Sequence, residues 1–216
     1  MNNIIERFNK IKSNIEKLKP ASNTKIIAVS KTFPLDHIKP LINFGHLHYG
    51  ENKVQEALVK WKDIKYEKKN LQLHMIGKLQ SNKAKTAVQL FDFIHSLDNP
   101  KLADILSNSE KNLGRNLKYF IQVNVGNELQ KSGISIGELE GFYNYCSKEK
   151  NLNIIGLMVI PPNDDNSKKY FKTLKDLNLT LGLQDLSMGM SADYHDAVLF
   201  DSTYVRIGSS IFGKRN

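Results

Sequence analysis

The sequence has one cysteine among its 216 residues and no long apolar run. Cys146 can form no internal disulfide, which excludes the disulfide-stapled class of small secreted domains and fits a reducing compartment. No apolar run approaches the eighteen residues that a membrane-spanning helix needs. Residues 1–20 alternate charges with apolar residues at helical spacing, so they lack the continuous apolar segment of a signal peptide. We therefore expect a cytoplasmic protein.

Acidic residues are in the minority, with 22 Asp and Glu against 31 Lys and Arg, which gives a net charge of +9. The basic residues are spread over the whole chain instead of gathering with aromatic residues in one patch. We interpret them as solvated surface and expect no nucleic-acid partner and no membrane partner. Three common motifs are also missing: the Gly-x-Ser-x-Gly elbow of serine hydrolases, the Walker loop and the dinucleotide fingerprint.

What the chain does have is a regular alternation of short apolar runs with amphipathic stretches of about ten to fifteen residues. The runs predict eight strands, at 26–30, 47–50, 71–76, 93–96, 119–125, 154–159, 185–188 and 204–207. The stretches predict helices at 35–44, 54–65, 82–91, 100–113, 136–148, 167–177 and 191–200. A parallel neighbour can be reached only through a crossover of helical length, so this alternation indicates a parallel sheet.

Eight repeats without a break in composition predict an α/β fold with one closed (β/α)8 TIM barrel. We expect a single domain over residues 1–216, with residues 1–20 forming an extra N-terminal helix packed on the barrel. An open doubly wound sheet is the alternative.

The first predicted strand ends close to a lysine, Lys31. Apolar neighbours desolvate a lysine, which lowers the pKa of its ammonium group and raises the fraction of free amine that can attack a carbonyl. This placement indicates Schiff-base chemistry. In a chain so rich in lysine, a solvated surface charge is the alternative interpretation.

Two loops later in the chain are typical of an anion site. In parallel barrels the ligand lies at the C-terminal ends of the strands, and the loops after strands seven and eight often hold a phosphate. Here those loops are Ser187-Met188-Gly189-Met190-Ser191-Ala192-Asp193 and Arg206-Ile207-Gly208-Ser209-Ser210-Ile211-Phe212-Gly213. Both can present hydroxyls and backbone N–H groups at a helix start, with glycine allowing close approach. They predict a phosphate site, with ordinary strand-to-helix turns as the alternative.

A strand-end lysine together with a phosphate site suggests pyridoxal 5′-phosphate (PLP), whose aldehyde takes the lysine and whose phosphate takes the loops. At these residues the chain resembles the PLP homeostasis proteins, a family related in fold to the N-terminal barrel of alanine racemase (fold type III). The matching segments, in order, are Ala28-Val29-Ser30-Lys31-Thr32, Gly50-Glu51-Asn52-Lys53-Val54-Gln55-Glu56, His74-Met75-Ile76-Gly77-Lys78-Leu79-Gln80-Ser81-Asn82-Lys83, His95-Ser96-Leu97-Asp98, Gln122-Val123-Asn124-Val125, Lys131-Ser132-Gly133, Gly156-Leu157-Met158, Leu186-Ser187-Met188-Gly189-Met190-Ser191-Ala192-Asp193-Tyr194 and Val205-Arg206-Ile207-Gly208-Ser209. The chain departs from the expected family pattern at Lys78, where we expect histidine, and its loop after Pro162 is short.

The resemblance implies that Lys31 carries the cofactor as a Schiff base and that Arg206 faces its pyridine nitrogen. It also implies phosphate contacts for Ser187, Gly189, Met190, Ser191, Gly208 and Ser209. Asn52 and His74 stand near the ends of the second and third predicted strands, where we expect side chains to line the cofactor ring. Arginine only donates hydrogen bonds, so a ring nitrogen that it contacts stays unprotonated and is a poor sink for carbanion charge. The alternatives are a buried structural histidine at 74 and a strand-end salt bridge at 206.

Three functions follow as hypotheses: a PLP carrier, a PLP-dependent amino-acid racemase and a metal-dependent barrel hydrolase. A racemase needs a second acid/base group, which alanine racemases draw from an additional β domain of the partner subunit. The chain ends eight residues after Gly208, so we expect no such domain, and Tyr49 and Tyr194 are the candidates within the barrel. For the hydrolase, His46-Leu47-His48 places two imidazoles on one strand face, with His95 and Asp98 as further ligands.

We favour the carrier. The expectation is a monomer that binds PLP reversibly and keeps it available for, or delivers it to, PLP-dependent apoenzymes, without substantial turnover of its own.

Overall fold

The computed structural model describes residues 3–20, 22–126, 128 and 132–213. Eight parallel strands follow one another in chain order around a closed barrel. They are β1 (Lys25–Val29), β2 (His48–Glu51), β3 (Gln72–Met75), β4 (Phe93–Leu97), β5 (Lys118–Gln122), β6 (Ile154–Met158), β7 (Asp185–Met190) and β8 (Tyr204–Ile207). Strand β8 pairs with β1, with Val205 opposite Ile26, and this pairing closes the sheet. The predicted (β/α)8 barrel is confirmed.

The helices are α1 (Asn3–Leu18), α2 (Leu35–Asn43), α3 (Val54–Glu67), α4 (Ala84–Leu90), α5 (Pro100–Leu113), α6 (Leu139–Asn144), α7 (Ser167–Thr180), α8 (Tyr194–Leu199) and α9 (Ser209–Phe212). The helix predicted at 136–148 is observed in three parts, because a 3-10 turn (Ile136–Glu138) precedes α6 and a π turn (Tyr145–Glu149) follows it. Helix α9 is too short to give a periodic signal and was not predicted.

Helix α1 is the extra N-terminal helix that the sequence predicted. Its buried residues Ile4, Phe8, Ile11 and Ile15 recur every three or four positions and form one apolar face. This face packs the helix against α2, α8 and α9 outside the barrel. None of the helices in the described part of the chain combines the length and the apolar character that crossing a bilayer requires.

Two strand ends differ from the sequence prediction. The run at 119–125 ends as a strand at Gln122, because the next residue, Val123, forms an isolated bridge with Ile134 of the following loop. Strand β7 runs two residues past the predicted 188, because an irregularity in its pairing with β8 brings Met190 opposite Arg206.

Side chains alternate between the barrel interior and the helical layer along each strand. The interior holds a separate apolar cluster made of Ile27, Phe93, Phe120, Met158 and Tyr204. Continuing the alternation of β1 from Ile27 through Val29 places Lys31 on the interior side as well. The lysine therefore leaves the strand toward the C-terminal mouth of the barrel.

Candidate functional site

A cavity of about 310 Å³ lies at the C-terminal ends of the strands. Small-molecule and cofactor sites begin at about this size, roughly 300 Å³. Its lining comes from six of the eight strand ends, and consists of Val29, Lys31, Asn52, Ile76, Ile160, Met190, Ser191, Ala192, Arg206, Gly208 and Ser209. Seven of the ten residues that the sequence analysis assigned to the cofactor are in this lining: Lys31, Asn52, Met190, Ser191, Arg206, Gly208 and Ser209.

The other three assigned residues lie elsewhere. Ser187 is buried beneath the cavity, where its Oγ accepts a hydrogen bond of 2.7 Å from Arg206. Gly189 has φ +90°, and a Cβ there would lie 2.5 Å from the Cβ of Ala197, so this glycine allows the end of β7 to pack on α8. His74 is fully buried in the barrel interior. The structure does not bring these three residues to the cavity wall.

Sequence reasoning missed the apolar part of the lining. Val29, Ile76, Ile160 and Ala192 form these walls, next to the polar groups. Val29, the last residue of β1, comes two residues before Lys31, and Ile76 comes two residues after His74. The rule that side chains of equal parity share a face identifies both, once the strand that carries the functional residue is known.

Two loops meet beside the cavity. The hydroxyl of Ser209, after β8, lies 3.3 Å from the hydroxyl of Ser191, after β7. Gly208 is buried, and a Cβ on it would lie 3.4 Å from the Cβ of Val29, an ordinary contact distance. The missing side chain at 208 thus leaves room at the wall between β1 and β8, next to the paired hydroxyls.

Arg206 is 4% exposed and is anchored by two hydrogen bonds, one from Nη1 to the hydroxyl of Ser187 (2.7 Å) and one from Nη2 to the carbonyl oxygen of Val159 (2.8 Å). Burial lowers the pKa of Arg206 to about 10, against the opposing effect of Asp193. The guanidinium therefore remains charged at neutral pH. With two donors held by the protein, its other N–H groups are available to the cavity.

A line of hydrogen-bonded side chains continues from Ser187 through the barrel interior. Nδ1 of His95 lies 2.8 Å from the Ser187 hydroxyl, and Nε2 of His95 lies 2.9 Å from Nδ1 of His74. Nε2 of His74 in turn lies 3.0 Å from Nδ1 of His48. We call His48, His74 and His95 the imidazole line.

The imidazole line is electrically neutral at neutral pH. Burial lowers the pKa of both His74 and His95 well below 6.5. For His48, burial together with the charges of Lys25 and Lys118 lowers the pKa to about 4. Neutral imidazole has one donor and one acceptor nitrogen, so each ring can receive one hydrogen bond and give one.

Arg206 can only donate, so the Ser187 oxygen accepts from it at one end of this line. A serine hydroxyl can accept a second hydrogen bond or donate its own, so the contact between Ser187 and His95 is compatible with either direction of donation along the three rings. The sequence analysis found these histidines singly but not their connection.

The metal-site alternative loses its geometric basis. His46 precedes β2 instead of lying on it, so the expectation that His46 and His48 share a strand face was wrong. Nε2 of His46 lies 2.9 Å from the backbone oxygen of His48, and Nδ1 of His48 faces His74. Across residues 3–213, apart from the undescribed positions, no three His, Cys, Asp or Glu side chains are grouped to hold a metal ion.

The candidate tyrosines for a second acid/base group lie away from the cavity. Tyr49 is fully buried against Trp61 of α3, with ring centroids 4.8 Å apart, and burial raises its pKa. The Tyr194 hydroxyl accepts a hydrogen bond of 3.3 Å from Asn14 of α1. Lys78 is exposed, and Lys131 lies outside the described residues.

Comparison with known proteins gives three kinds of match. The family model of the alanine racemase N-terminal domain matches residues 7–216. A curated protein of Aquifex aeolicus (strain VF5) named pyridoxal phosphate homeostasis protein is 35% identical, over 99% of this chain and 99% of its own length.

Among solved structures, that of PipY from Synechococcus elongatus PCC7942 with PLP bound is 34% identical, with a TM-score of 0.87 over 97% of this chain and 100% of PipY. An alanine racemase of Clostridium difficile 630 matches at 16% identity with a TM-score of 0.75, over 99% of this chain and 57% of the racemase. At that identity the racemase shares the fold alone.

Proposed function

This chain belongs to the pyridoxal phosphate homeostasis proteins of the alanine racemase N-terminal domain family, and from that premise we propose that it is a single-domain PLP carrier. The observation that carries the proposal is the convergence of Lys31, Arg206 and two serine hydroxyls on one cofactor-sized cavity. PLP bound to PipY, whose fold matches nearly end to end, supports the same assignment. In this proposal PLP-dependent apoenzymes receive the cofactor.

The residues present fit PLP. When bound, the cofactor supplies an aldehyde that condenses with a lysine amine as a Schiff base, and Lys31 is the lysine in the lining. Ser191 and Ser209 offer hydroxyls for a phosphate, and Gly208 has no side chain that would cover the backbone beside them. The charged Arg206 offers hydrogen-bond donors to the ring nitrogen. The apolar walls at Val29 and Ile76 suit a planar ring.

The composition of the lining favours a carrier over a racemase. Racemisation needs an acid/base group on each side of the reacting carbon. The polar side chains that the described lining contributes are those of Lys31, Asn52, Ser191, Arg206 and Ser209, with no tyrosine, histidine or carboxylate among them. Lys31 is then the one ordinary proton acceptor, so we propose that bound PLP is held without substantial turnover.

The proposal is tested by a spectrum and a map of the modified residue. A lysine Schiff base of PLP absorbs visibly, and we expect borohydride reduction to place a pyridoxyl group on Lys31 in peptide mass mapping. Lys31→Ala should abolish the absorbance band. Lys53→Ala, which changes an exposed lysine outside the lining, should keep it. An adduct found only on other lysines would contradict the assignment of Lys31.

A further inference from the structure

A buried carboxylate holds the residue just before Lys31. Glu51, at the end of β2, is fully buried and points outward to α3. Its Oε1 accepts hydrogen bonds from the hydroxyl of Ser30 (2.7 Å), the ammonium of Lys60 (2.9 Å) and the indole N–H of Trp61 (2.9 Å). A buried charge is tolerated only when it is paired and hydrogen-bonded. Oε1 makes all three of these contacts, whereas Oε2 is buried with no hydrogen-bond partner among the described residues.

Lys60 connects that carboxylate to the backbone on both sides of the cofactor lysine. Its side chain is 8% exposed, and its ammonium donates to the backbone oxygen of Ser30 (2.9 Å) as well as to Glu51. It also donates to Oε1 of Glu56, one turn earlier on α3, at 3.3 Å. Ser30 is thus held at its hydroxyl and at its carbonyl.

Glu56 holds the residue just after Lys31. Its Oε1 accepts a hydrogen bond of 2.5 Å from the backbone N–H of Thr32. Burial raises the pKa of Glu56, but the Thr32 N–H, Lys60 and the charge of Lys53 lower it, and the pKa is lowered overall. Thr32 has φ +69°, a left-handed conformation that β-branched residues rarely adopt. A strained residue persists only where its surroundings fix it, and here the fixing contact is Glu56.

We propose that Glu56, with Lys60 and Glu51 behind it, is a positioning residue that holds the turn at Thr32 and thereby sets the direction of the Lys31 side chain. None of the three lines the cavity. Lys31 comes two residues after Val29, the last residue of β1, and so lies beyond the regular strand. Holding Ser30 and Thr32 in place therefore pre-organises the lysine before the cofactor arrives. This inference rests on the proposed function of Lys31.

The test uses three changes at two positions. Glu56→Ala removes the acceptor for the Thr32 N–H, and we expect PLP affinity to fall about tenfold, as for the loss of one charge-assisted hydrogen bond. Glu56→Gln keeps an amide oxygen at that place and should restore most of the affinity. Thr32→Gly in the Glu56→Ala background should also restore it, because glycine adopts positive φ without strain. Lys60 keeps Glu51 as its partner in all variants.

Two measurements separate positioning from general stability. Affinity is measured by absorbance titration with PLP, and exchange of the Thr32 amide hydrogen is measured in protein free of PLP. We expect fast exchange in Glu56→Ala and slow exchange in the wild type and in Glu56→Gln. The control is Val59→Ala, because Val59 lies on the same helix and is 89% exposed.

The outcomes are distinct. A wild type that captures no PLP contradicts the proposed function and this inference with it. A wild type that binds through Lys31 while Glu56→Ala binds equally well overturns the positioning role alone. The role is also overturned if Thr32→Gly fails to rescue Glu56→Ala, or if the affinity loss in each variant simply follows its fall in thermal melting temperature.

Discussion

Gly189 and Gly208 lie in the two loops that the sequence assigned to phosphate, and they lack side chains for different reasons. Gly189 has φ +90° and lies against Ala197 and Tyr194 of α8, so its backbone conformation and packing both require glycine. Gly208 has φ −113°, which any residue adopts. A Cβ added to it would make an ordinary van der Waals contact with Val29. Folding therefore does not require glycine at 208, whereas close approach of a ligand to the backbone does.

This difference predicts opposite behaviour for the two glycines. Gly208→Ala should melt at nearly the wild-type temperature but bind PLP more weakly, because its methyl group takes space at the cavity wall. Gly208→Val should bind more weakly still, and more weakly than Ser209→Ala, which removes one hydroxyl. Losing one charge-assisted hydrogen bond to the phosphate should lower the affinity for PLP roughly ten- to hundredfold. Absorbance titration and thermal melting measure both quantities.

The control is Gly189→Ala. We expect it to lower the melting temperature, because a side chain there meets Ala197 and must adopt positive φ. If Gly208→Val and Ser209→Ala both bind PLP as the wild type does, the phosphate lies elsewhere in the molecule.

At the scale of elements, the offset in register between neighbouring strands brings together the three histidines of the imidazole line. His74 of β3 stands opposite Gly50 of β2 and Phe93 of β4. His48 comes two residues before Gly50, and His95 comes two residues after Phe93. From each strand to the next, the histidine therefore lies one inward-facing position closer to the C-terminal end of the barrel. This offset is a consequence of the shear of a closed barrel. The line rises in this way from the N-terminal end of the barrel to Ser187 and Arg206.

The sequence could not show this line, because it depends on strand register. Each histidine stands in a predicted strand, and parity predicts which face it occupies, but hydrogen bonds between rings require the offset between neighbouring strands. That offset is set by the closure of the whole barrel. By contrast, Lys31 was found because it stands at the end of a predicted strand, where the ligand of a parallel barrel is expected. The role of Arg206 was implied by the family resemblance.

The imidazole line and His46 together predict a marked acid sensitivity. The pKa values of His46 and His48 are lowered to about 4, and those of His74 and His95 also lie well below 6.5. Between about pH 6.5 and pH 4 the unfolded chain binds protons at these histidines and the folded chain does not. The free energy of unfolding should therefore fall as the pH falls, by up to about 1.4 kcal/mol per pH unit for each histidine.

Urea denaturation at pH 7, 6 and 5 measures this slope. His46→Phe is a matched variant, because the new ring can keep the contact with Phe8, whose centroid lies 4.7 Å from that of His46. His46→Phe should reduce the change in unfolding free energy per pH unit by the contribution of one histidine. An unfolding free energy that stays constant from pH 7 to pH 5 would show that these imidazoles titrate normally.

For the whole molecule, the alternation of apolar runs and amphipathic stretches was sufficient to predict the closed barrel. The rule for parallel barrels pointed to the C-terminal strand ends, where the candidate cavity lies. The family resemblance is confirmed as well. What the sequence left open was how residues from different strands combine. The contacts of Glu51, Lys60 and Glu56 with Ser30 and Thr32 join β2 and α3 to the end of β1. The periodicity of a single segment cannot predict contacts among three different segments.

A carrier and a racemase of this fold differ in how fast they remove the α-proton of a bound amino acid. Arg206 is held in place by Ser187 and Val159 and stays charged, so a ring nitrogen facing it stays unprotonated and accepts carbanion charge poorly. The described lining also supplies no tyrosine, histidine or carboxylate as a second acid/base group beside Lys31. Each feature withholds stabilisation from the transition state for loss of an α-proton.

We therefore expect the PLP-loaded protein to change its absorbance when L-alanine is added, with little racemisation. Incubation in D₂O, with α-deuterium uptake and enantiomer ratio followed against free PLP, measures this directly. Lys31→Ala serves as the control for cofactor that is bound without the lysine. Racemisation at about 1 s⁻¹ or faster falls within the usual range of enzyme turnover and would make the protein a racemase, because a carrier gains nothing from stabilising that transition state.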